Sequence, residues 1–463
     1  MTDERNQEEI VTIESLSNEA LGVARVNNKV WFVQNALPGE RVLAHVIKPN
    51  KNYCIAKAID VIEPSQPRRV PPCSVYGRCG GCACQHMSYE ATLEFKREHV
   101  KNALERIGKV QGANVLPITP SENRFAYRNK GAFPVGQAAD SGVSIGCFAA
   151  HSHNIIEPPN GCIIHPDTVN NALSRVKEWM AAYHILPYNE QAGTGFVRHV
   201  VTRVNRAGDM LLTIVVNSKD ASLPRSAELF ELVRRGVPKL SGLSVSPNPE
   251  RGNAIFGGTC VTICGEPAIR ETLNTLAGSI EIEISPRSFF QVNTGQAERL
   301  IDAALTLANP QVGEHICDVY AGAGTFTLPF AKTGASVSSV EIVADAVEDA
   351  KRNARWNGLN IDIRLGDASR VLPELVKKNK LDCILLDPPR KGCDADVLAA
   401  AAKASPSRII YVSCDPATLA RDAAILAEQG YTLDCARPVD MFPWTSSVET
   451  CAKFIPARFL YSV

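Results

Sequence analysis

Asp318-Val319-Tyr320-Ala321-Gly322-Ala323-Gly324-Thr325 is the stretch that decides the fold of the C-terminal part of this 463-residue chain. It follows a short apolar run, and its glycines let the backbone turn tightly and pass close to a ligand. Ligands of α/β proteins lie at the carboxyl ends of parallel strands. Thr327 stands where a dinucleotide-binding fingerprint has its third glycine, so the stretch predicts a cofactor loop without the full dinucleotide pattern.

Short apolar strands and helical segments alternate on both sides of this loop. That alternation is typical of a doubly wound, Rossmann-like α/β sheet. The strands that we predict are 315–320, 336–340, 361–365, 383–386, 409–412, 431–439 and 448–459.

Two carboxylates follow other strands of the predicted sheet. Glu341 ends the second strand, where it can accept hydrogen bonds from both hydroxyls of a ribose. Asp387 ends the fourth strand and precedes Pro388-Pro389-Arg390, a run that forces a rigid, extended loop. Such a run can also be a plain turn after a strand. Beside Glu341 and the glycine loop, we interpret it as part of the cofactor pocket.

A cysteine and a glutamate are our candidates for the chemistry. Cys414 lies between the fifth strand and a helix that starts near Ala417, and the field of a helix N-terminus favours a thiolate. Uracil C5 is too weak a nucleophile to attack a methyl sulfonium unaided, but a thiolate that adds at C6 creates an enolate at C5. A base must then remove the C5 proton, and Glu449 is our candidate for it.

The segments that carry these residues resemble the RNA (uracil-C5)-methyltransferase family, whose members modify 23S ribosomal RNA or tRNA. The resemblance spans essentially the whole chain. Its motifs are Ser288-Phe289-Phe290-Gln291-Val292-Asn293, Asp387-Pro388-Pro389-Arg390, Val412-Ser413-Cys414-Asp415-Pro416-Ala417-Thr418-Leu419-Ala420-Arg421-Asp422, Asp440-Met441-Phe442-Pro443 and Val448-Glu449.

The resemblance implies a class I methyltransferase domain that uses S-adenosylmethionine. It makes Cys414 the nucleophile and Glu449 the base. It assigns a second group of residues to the cofactor, with the last of them near the adenine: Gln291, Tyr320, Glu341, Asp387 and Asp367.

Three positions depart from the family pattern. Asp415 follows the cysteine where members usually have Asn, and Trp444 and Ser447 stand in a stretch where members usually have one or two His. An acid beside Cys414 opposes thiolate formation unless its carboxylate faces away. Because both reacting groups are present, we expect tuning of the activity and not its loss.

The first 63 residues predict a small β-barrel. Short β-type runs between about residues 10 and 62 are separated by turn signals such as Asn27-Asn28 and Pro38-Gly39, which is typical of a five-stranded OB-type barrel. The family resemblance makes it a TRAM domain. We divide the chain into this barrel (1–63), a mixed α+β central domain (64–285) and the methyltransferase domain (286–463).

Three cysteines near the start of the central domain have the spacing of a metal knot. Cys73, Cys79 and Cys82 lie within ten residues, with Gly80 and Gly81 between the last two. The family resemblance implies Cys162 as the fourth ligand of a [4Fe-4S] cluster, and Cys84 is a nearer competitor. Spacing alone favours zinc, which also suits four cysteines.

The overall charge of the chain is zero, so any RNA footprint must be local. Residues 68–130 form a basic segment with eleven Lys or Arg and five Glu. We expect part of it to hold phosphates and stack bases, although it can also be ordinary surface. The residues that we single out are Arg124, Tyr127, Arg128 and Lys130.

These observations predict an enzyme that makes 5-methyluridine in RNA, with 23S ribosomal RNA preferred because barrel and cysteines together resemble the ribosomal members. The alternatives are a tRNA uracil-C5 methyltransferase and a non-catalytic RNA-binding assembly factor. A cytosine-C5 methyltransferase uses the same thiolate chemistry but normally shows a different motif around its cysteine. Without an apolar leader or a membrane span in the sequence, we expect a cytoplasmic monomer with no membrane role.

Overall fold

The computed structural model describes residues 6–138, 142–378 and 380–457. Its N-terminal strands are β1 (Glu8–Thr12), β2 (Ser15–Leu16), β3 (Gly22–Val26), β4 (Lys29–Gln34), β5 (Arg41–Pro49) and β6 (Tyr53–Glu63). They form one sheet in the order β1-β5-β6-β4-β3-β2, and β1 also contacts β3, so the sheet curls on itself. Asn27 and Asn28 both have positive φ, as a two-residue hairpin turn requires. The barrel has six strands, one more than predicted, because β2 is only two residues long.

The central domain is a helix followed by a six-stranded sheet. Its elements are α1 (Tyr89–Arg106), β7 (Lys130–Gln137), β8 (Val143–Ile145), β9 (Cys147–Phe148), β10 (Ile155–Ile156), α2 (Asp167–Ala182), β11 (Val197–Val204), β12 (Met210–Val216), α3 (Ser226–Gly236), β13 (Leu240–Pro247) and β14 (Val261–Gly265). The sheet order is β14-β13-β12-β11-β7-β8, and α2 and α3 pack their apolar residues on one face of it. The hairpin expected within this domain is β11 and β12.

A two-stranded hairpin connects the central domain to the C-terminal one. Its strands β15 (Ile269–Thr275) and β16 (Gly278–Ile284) pack on α4 (Thr294–Ala308) in one apolar core. That core contains residues on both sides of the predicted boundary at 285/286. The division into 1–63, 64–285 and 286–463 therefore stays a prediction.

The C-terminal domain is a seven-stranded sheet with helices on both faces. Its elements are β17 (His315–Val319), α5 (Thr327–Lys332), β18 (Ser336–Glu341), α6 (Ala344–Trp356), β19 (Asp362–Leu365), α7 (Ala368–Lys378), β20 (Cys383–Leu386), α8 (Ala395–Lys403), β21 (Arg408–Ser413), α9 (Pro416–Glu428), β22 (Tyr431–Val439) and β23 (Glu449–Pro456).

The strand order of this sheet is β19-β18-β17-β20-β21-β23-β22. The first five strands are parallel, and β23 is antiparallel to both neighbours. All four residues of β20 are buried, as expected for a central strand covered on both faces. The predicted α/β fold is confirmed, and each predicted strand is present. Residues 458 and 459 of the last prediction lie outside the described residues.

A buried ion pair fastens α1 to the C-terminal domain. Lys96 and Asp440 are both fully buried, with Nζ and Oδ1 2.5 Å apart, and the Tyr89 hydroxyl donates to Asp440 at 2.7 Å. Lys96 also donates to the carbonyl of Phe442 at 2.9 Å. None of the described helices is both long enough and apolar enough to cross a bilayer.

Candidate active site

The loop after β17 and the end of β18 form the edge where a cofactor would lie. Tyr320, Gly322 and Gly324 all have positive φ, so the backbone makes the close turn that the glycines predict. The Glu341 carboxylate reaches back to this loop and accepts the N–H of Gly322 at 2.8 Å and that of Val343 at 2.8 Å. The structure thus brings together the glycine loop and the predicted ribose-binding acid.

Two buried carboxylates lie behind this edge. Asp318 accepts the Thr327 hydroxyl at 2.6 Å through one oxygen, while its other oxygen, Oδ1, has no partner. Burial raises the pKa of Asp318 to about 7, and burial and the charge of Asp318 raise the pKa of Asp387 to about 8. Two acids that disfavour each other's ionisation suit a cationic ligand. S-adenosylmethionine, with its ammonium and sulfonium groups, has that charge.

The other predicted cofactor residues lie around this edge with different partners. Asp367 is exposed after β19, where its carboxylate accepts the N–H and the hydroxyl of Ser369 at 2.9 and 2.7 Å. It is close enough to Tyr320 to help raise the pKa of that phenol, after burial and Cys393. Gln291 is buried where the domains meet, and its carbonyl accepts a hydrogen bond from Asn129 at 3.0 Å.

Cys414 and Glu449 lie at the same end of the sheet. Ser413, the last residue of β21, pairs with Thr450 of β23 in antiparallel register, so Cys414 follows and Glu449 precedes the last bridged pair. Glu449 is only 4% exposed, and Cys414 is partly exposed. Each of the two side chains also senses the charge of Asp387. Nucleophile, base candidate and cofactor acid therefore share one end of the sheet.

The two candidate catalytic groups are held in their neutral forms. Burial, followed by the charges of Glu449 and Asp387, raises the pKa of Cys414 to about 11. Burial and Asp387 raise the pKa of Glu449 to about 8. Burial and the neighbouring acids thus act against the effect of the helix N-terminus, which favours the thiolate of Cys414.

Arg390 is a further candidate for a functional residue, in a motif where the sequence predicts no role for it. Its charge lowers the pKa of both Cys414 and Glu449, against the effect of burial. Its position after Asp387-Pro388-Pro389 carries it to the same edge of the sheet. The sequence contains a signal for this role, since a cation in a rigid loop beside a thiol lowers the pKa of that thiol.

Asp415 does not face the nucleophile. Its carboxylate caps α9 and accepts the N–H groups of Ala417 and Thr418 at 2.8 and 3.1 Å. Asn caps a helix about as well as Asp does. The departure from the family pattern at this position therefore keeps the local structure.

The predicted metal-binding cysteines line one cavity. Cys73, Cys79, Cys82 and Cys162 surround a space of about 160 Å³ together with a fifth cysteine, Cys147. Burial and then the charges of the other thiols raise the pKa of Cys82 to about 12. Crowded thiolates repel one another, and a bound metal centre would remove that repulsion.

Two further contacts describe this cavity. The N–H of Gly81 donates to the sulfur of Cys79 at 3.4 Å, as the glycines of the knot predict, and Cys147 shares a hydrogen bond with Cys79. Cys84 lies apart, in an apolar cluster with Leu37 and Met87. Across the described ranges, no three His, Cys, Asp or Glu side chains form a group that could hold a single metal ion.

Cys147 was missed because sequence spacing does not reveal it. It lies in β9, and the segment around it pairs with the metal knot through the bridge Cys79–Ala149 and the bond from Gly80 N to Phe148 O at 2.9 Å. Such a contact depends on tertiary strand pairing. No local sequence motif predicts the pairing of this segment with the metal knot.

Residues of the basic segment are more buried, and make more hydrogen bonds within the protein, than the sequence predicts. Tyr127 is 6% exposed and donates to the carbonyl of Pro443 at 3.1 Å, so the prediction that it stacks on a base is wrong. Arg128 donates to the carbonyl of Lys130, and burial lowers the pKa of Lys130 to about 8. Arg124 is half-exposed, with its guanidinium 3.9 Å from the centre of the Tyr89 ring.

The sheet order, the loop after β17 and the carboxylates at its edge define an S-adenosylmethionine-dependent methyltransferase of the class I, Rossmann-like type. A solved structure of Pyrococcus abyssi tRNA (uracil-54, C5)-methyltransferase in complex with S-adenosyl-L-homocysteine is similar, with a TM-score of 0.77 and 26% identity over 96% of this chain and 100% of that one.

This chain belongs to the RNA (uracil-C5)-methyltransferase family. Residues 261–455 match the tRNA (Uracil-5-)-methyltransferase family model, and residues 3–59 match the TRAM domain model. An uncharacterized RNA methyltransferase of Halalkalibacterium halodurans is 40% identical over 96% of this chain and 95% of its own length. Another from Clostridium acetobutylicum is 38% identical over 96% of both chains. The chain is an RNA methyltransferase.

Proposed function

We propose that this protein methylates C5 of a uracil in RNA, with Cys414 as nucleophile and Glu449 as base. The observation that supports the proposal is the pairing of Ser413 with Thr450 between β21 and β23, which leaves Cys414 and Glu449 at the same end of the sheet. Asp387, at the end of the neighbouring strand β20, affects both pKa values. A thiol, a buried acid and a cofactor edge in one place are what addition, methylation and proton removal at one pyrimidine bond need.

The reaction is one addition and one elimination. The Cys414 thiolate adds to C6 of the uracil, and the electrons of the C5–C6 double bond make C5 a carbon nucleophile. Bound S-adenosylmethionine supplies the methyl group that C5 accepts. Glu449 then takes the C5 proton, the electrons of the broken C5–H bond restore the C5–C6 double bond, and Cys414 leaves C6 as a thiolate with the electrons of the C–S bond.

The cofactor site that we propose contains Gln291, Tyr320, Glu341, Asp367 and Asp387. Support comes from the position of Glu341 at the glycine loop and from the unpartnered oxygen of Asp318 behind it. Replacing Glu341 by Gln should raise the dissociation constant for S-adenosylmethionine about tenfold, because a charged acceptor at the ribose contributes about 1.5 kcal/mol.

We further propose a [4Fe-4S] cluster on Cys73, Cys79, Cys82 and Cys162, with zinc as the second candidate. The shared cavity and the Gly81 N–H on the Cys79 sulfur support it. The test is iron, sulfide and zinc analysis of protein purified without oxygen. Zinc without iron would overturn the cluster.

The substrate that we propose is 23S ribosomal RNA, in the cytoplasm, with the protein acting as a monomer. A specific observation favours transfer RNA as the second candidate, since the similar Pyrococcus abyssi structure is of a tRNA (uracil-54, C5)-methyltransferase. Mapping of 5-methyluridine in both RNA fractions, from cells with and without the gene, separates the two. The fraction that loses the nucleotide in the deletion strain contains the substrate.

Trapping with 5-fluorouridine RNA tests the chemistry. Fluorine at C5 cannot be removed as a proton is, so the bond between Cys414 and C6 persists and the complex survives denaturation. We expect a trapped complex with the wild type and none with Cys414→Ala. Cys264→Ser, a change in the edge strand β14, is the matched control and should trap normally. A wild type that gives no complex would favour the non-catalytic RNA-binding factor.

A further inference from the structure

The segment that leads into Glu449 is held almost entirely by other parts of the chain. This segment, residues 440–448, joins β22 to β23 and is called the base loop here. Its carbonyls accept hydrogen bonds from four regions distant in sequence. They are Asn293 on Met441 (3.2 Å), Lys96 on Phe442 (2.9 Å), Tyr127 on Pro443 (3.1 Å), and the N–H groups of Ala83 and Cys84 on Trp444 (2.9 Å each).

Trp444 contacts several segments outside the base loop. Its indole N–H donates to the carbonyl of Arg124 at 2.8 Å, and its ring stacks on Phe125 with centroids 5.5 Å apart and planes 25° apart. The Tyr89 ring lies at 5.6 Å on another side. Trp444 is 8% exposed and has a φ of +67°, a conformation that tertiary contacts must stabilise in a non-glycine residue.

Glu449 itself has little to orient it. In the part of the chain that the structure describes, its carboxylate receives no hydrogen bond, and its pKa responds only to burial and to the charges of Asp387 and Arg390. The position of the carboxylate therefore depends on the backbone, namely on the pairing of Val439 with Glu449 and on the base loop between them. Cys414 is fixed separately, by β21 and by the cap that Asp415 places on α9.

We propose that Trp444 is a positioning residue for the proton-abstraction step. It anchors the base loop to the segments 83–84 and 124–125 and so holds Glu449 at the C5 side of the bound uracil. The anchor acts on the base and not on the nucleophile, because the two are carried by different elements. This inference rests on the proposed function of Cys414 and Glu449.

The prediction that is specific to a positioning role is that the covalent intermediate between Cys414 and the uracil accumulates. If Trp444→Ala loosens the base loop, Cys414 still adds to C6 and C5 still accepts the methyl group, but removal of the C5 proton slows. A misplacement of a catalytic group by about 1 Å costs about 100-fold in rate, so release of methylated RNA should slow about 10- to 100-fold. The covalent complex with ordinary, uridine-containing RNA should then accumulate.

The experiment compares two probes on the same variants. In vitro transcribed 23S RNA, made with uridine or with 5-fluorouridine, is mixed with S-adenosylmethionine, and complexes are counted on denaturing gels. For Trp444→Ala we expect wild-type rates of trapping with the fluorinated RNA, and an accumulated complex with the ordinary RNA. The tRNA fraction from cells lacking the gene serves as the probe if mapping assigns the substrate there.

Control variants separate positioning from simple damage. Trp356→Ala removes a partly exposed tryptophan from α6 and should leave both probes unaffected. If melting curves show that Trp444→Ala does not fold, Trp444→Phe decides, because it keeps the ring and loses only the bond to the Arg124 carbonyl. A Trp444 variant that slows trapping as much as turnover, or that slows neither, overturns the inference. A wild type that traps nothing refutes the proposed chemistry instead, and the inference falls with it.

Discussion

At the scale of single residues, the site contains several acids and a thiol, and burial raises their pKa values. One cation, Arg390, opposes that effect at Cys414 and Glu449. Arg390 lowers the pKa of both Cys414 and Glu449, but burial and neighbouring acids still raise these pKa values to about 11 and about 8. The active forms are the thiolate and the carboxylate. Activity therefore has to rise as the pH increases toward and above 8.

Arg390→Gln should shift this pH dependence. Without the guanidinium, both pKa values increase further, so fewer molecules carry the thiolate and the carboxylate at pH 7. The rate of trapping with 5-fluorouridine RNA should decrease at pH 7 and recover at higher pH. Arg390→Lys keeps the positive charge and is the matched control. A profile of Arg390→Gln that is lower at every pH but not displaced would show that Arg390 acts by contact with RNA instead.

The cap formed by Asp415 gives a second prediction at this scale. Asp415→Asn should leave the stability nearly unchanged, because Asn accepts the same two N–H groups of α9. Asp415→Ala loses them and should lower the free energy of unfolding by about 1 kcal/mol. Denaturant melts of the two variants measure the difference. Equal losses in both variants would mean that the charge, and not the cap, is what matters.

At the scale of elements, α1 depends on one ion pair for its position. Lys96→Met leaves the Asp440 carboxylate buried without its cation, and breaking a buried pair in this way costs about 3–5 kcal/mol. We expect that loss in the free energy of unfolding, measured in urea. Arg106→Met, at the exposed end of the same helix, should change it by less than about 0.5 kcal/mol. A small effect of Lys96→Met would mean that water reaches the pair.

Elements with a strong local signal were predicted closely. The ends of β20 and β22 are as predicted: β20 is an apolar run that ends before Asp387-Pro388, and β22 ends before Asp440. Strands β2, β9 and β10 have two residues each, and a run of two has no periodicity to detect. The contacts of Trp444 and Cys147 could not be predicted from the sequence either. Those of Trp444 join segments hundreds of residues apart, and those of Cys147 join segments tens of residues apart.

At the scale of the whole molecule, the cysteine cavity joins residues 73–82 to residue 162. Closing that loop with a metal centre should stabilise the native state, because it reduces the entropy of the unfolded chain. We therefore expect removal of the metal by a chelator, or Cys162→Ala, to lower the melting temperature and the metal content together. Cys264→Ser should change neither. A melting temperature that stays constant while the metal is lost would show that the cavity folds without it.

The burial of Lys96 also sets an order for folding during synthesis. Lys96 and Asp440 are 344 residues apart, and a ribosome that adds 5–20 residues per second needs about 17 to 70 seconds to make that length. Throughout this time α1 carries the ammonium group of Lys96 while its buried partner Asp440 has not yet been made. Nascent chains interrupted before residue 440 lack this ion pair, so α1 is docked less firmly in them and is more open to proteases that remove incomplete proteins.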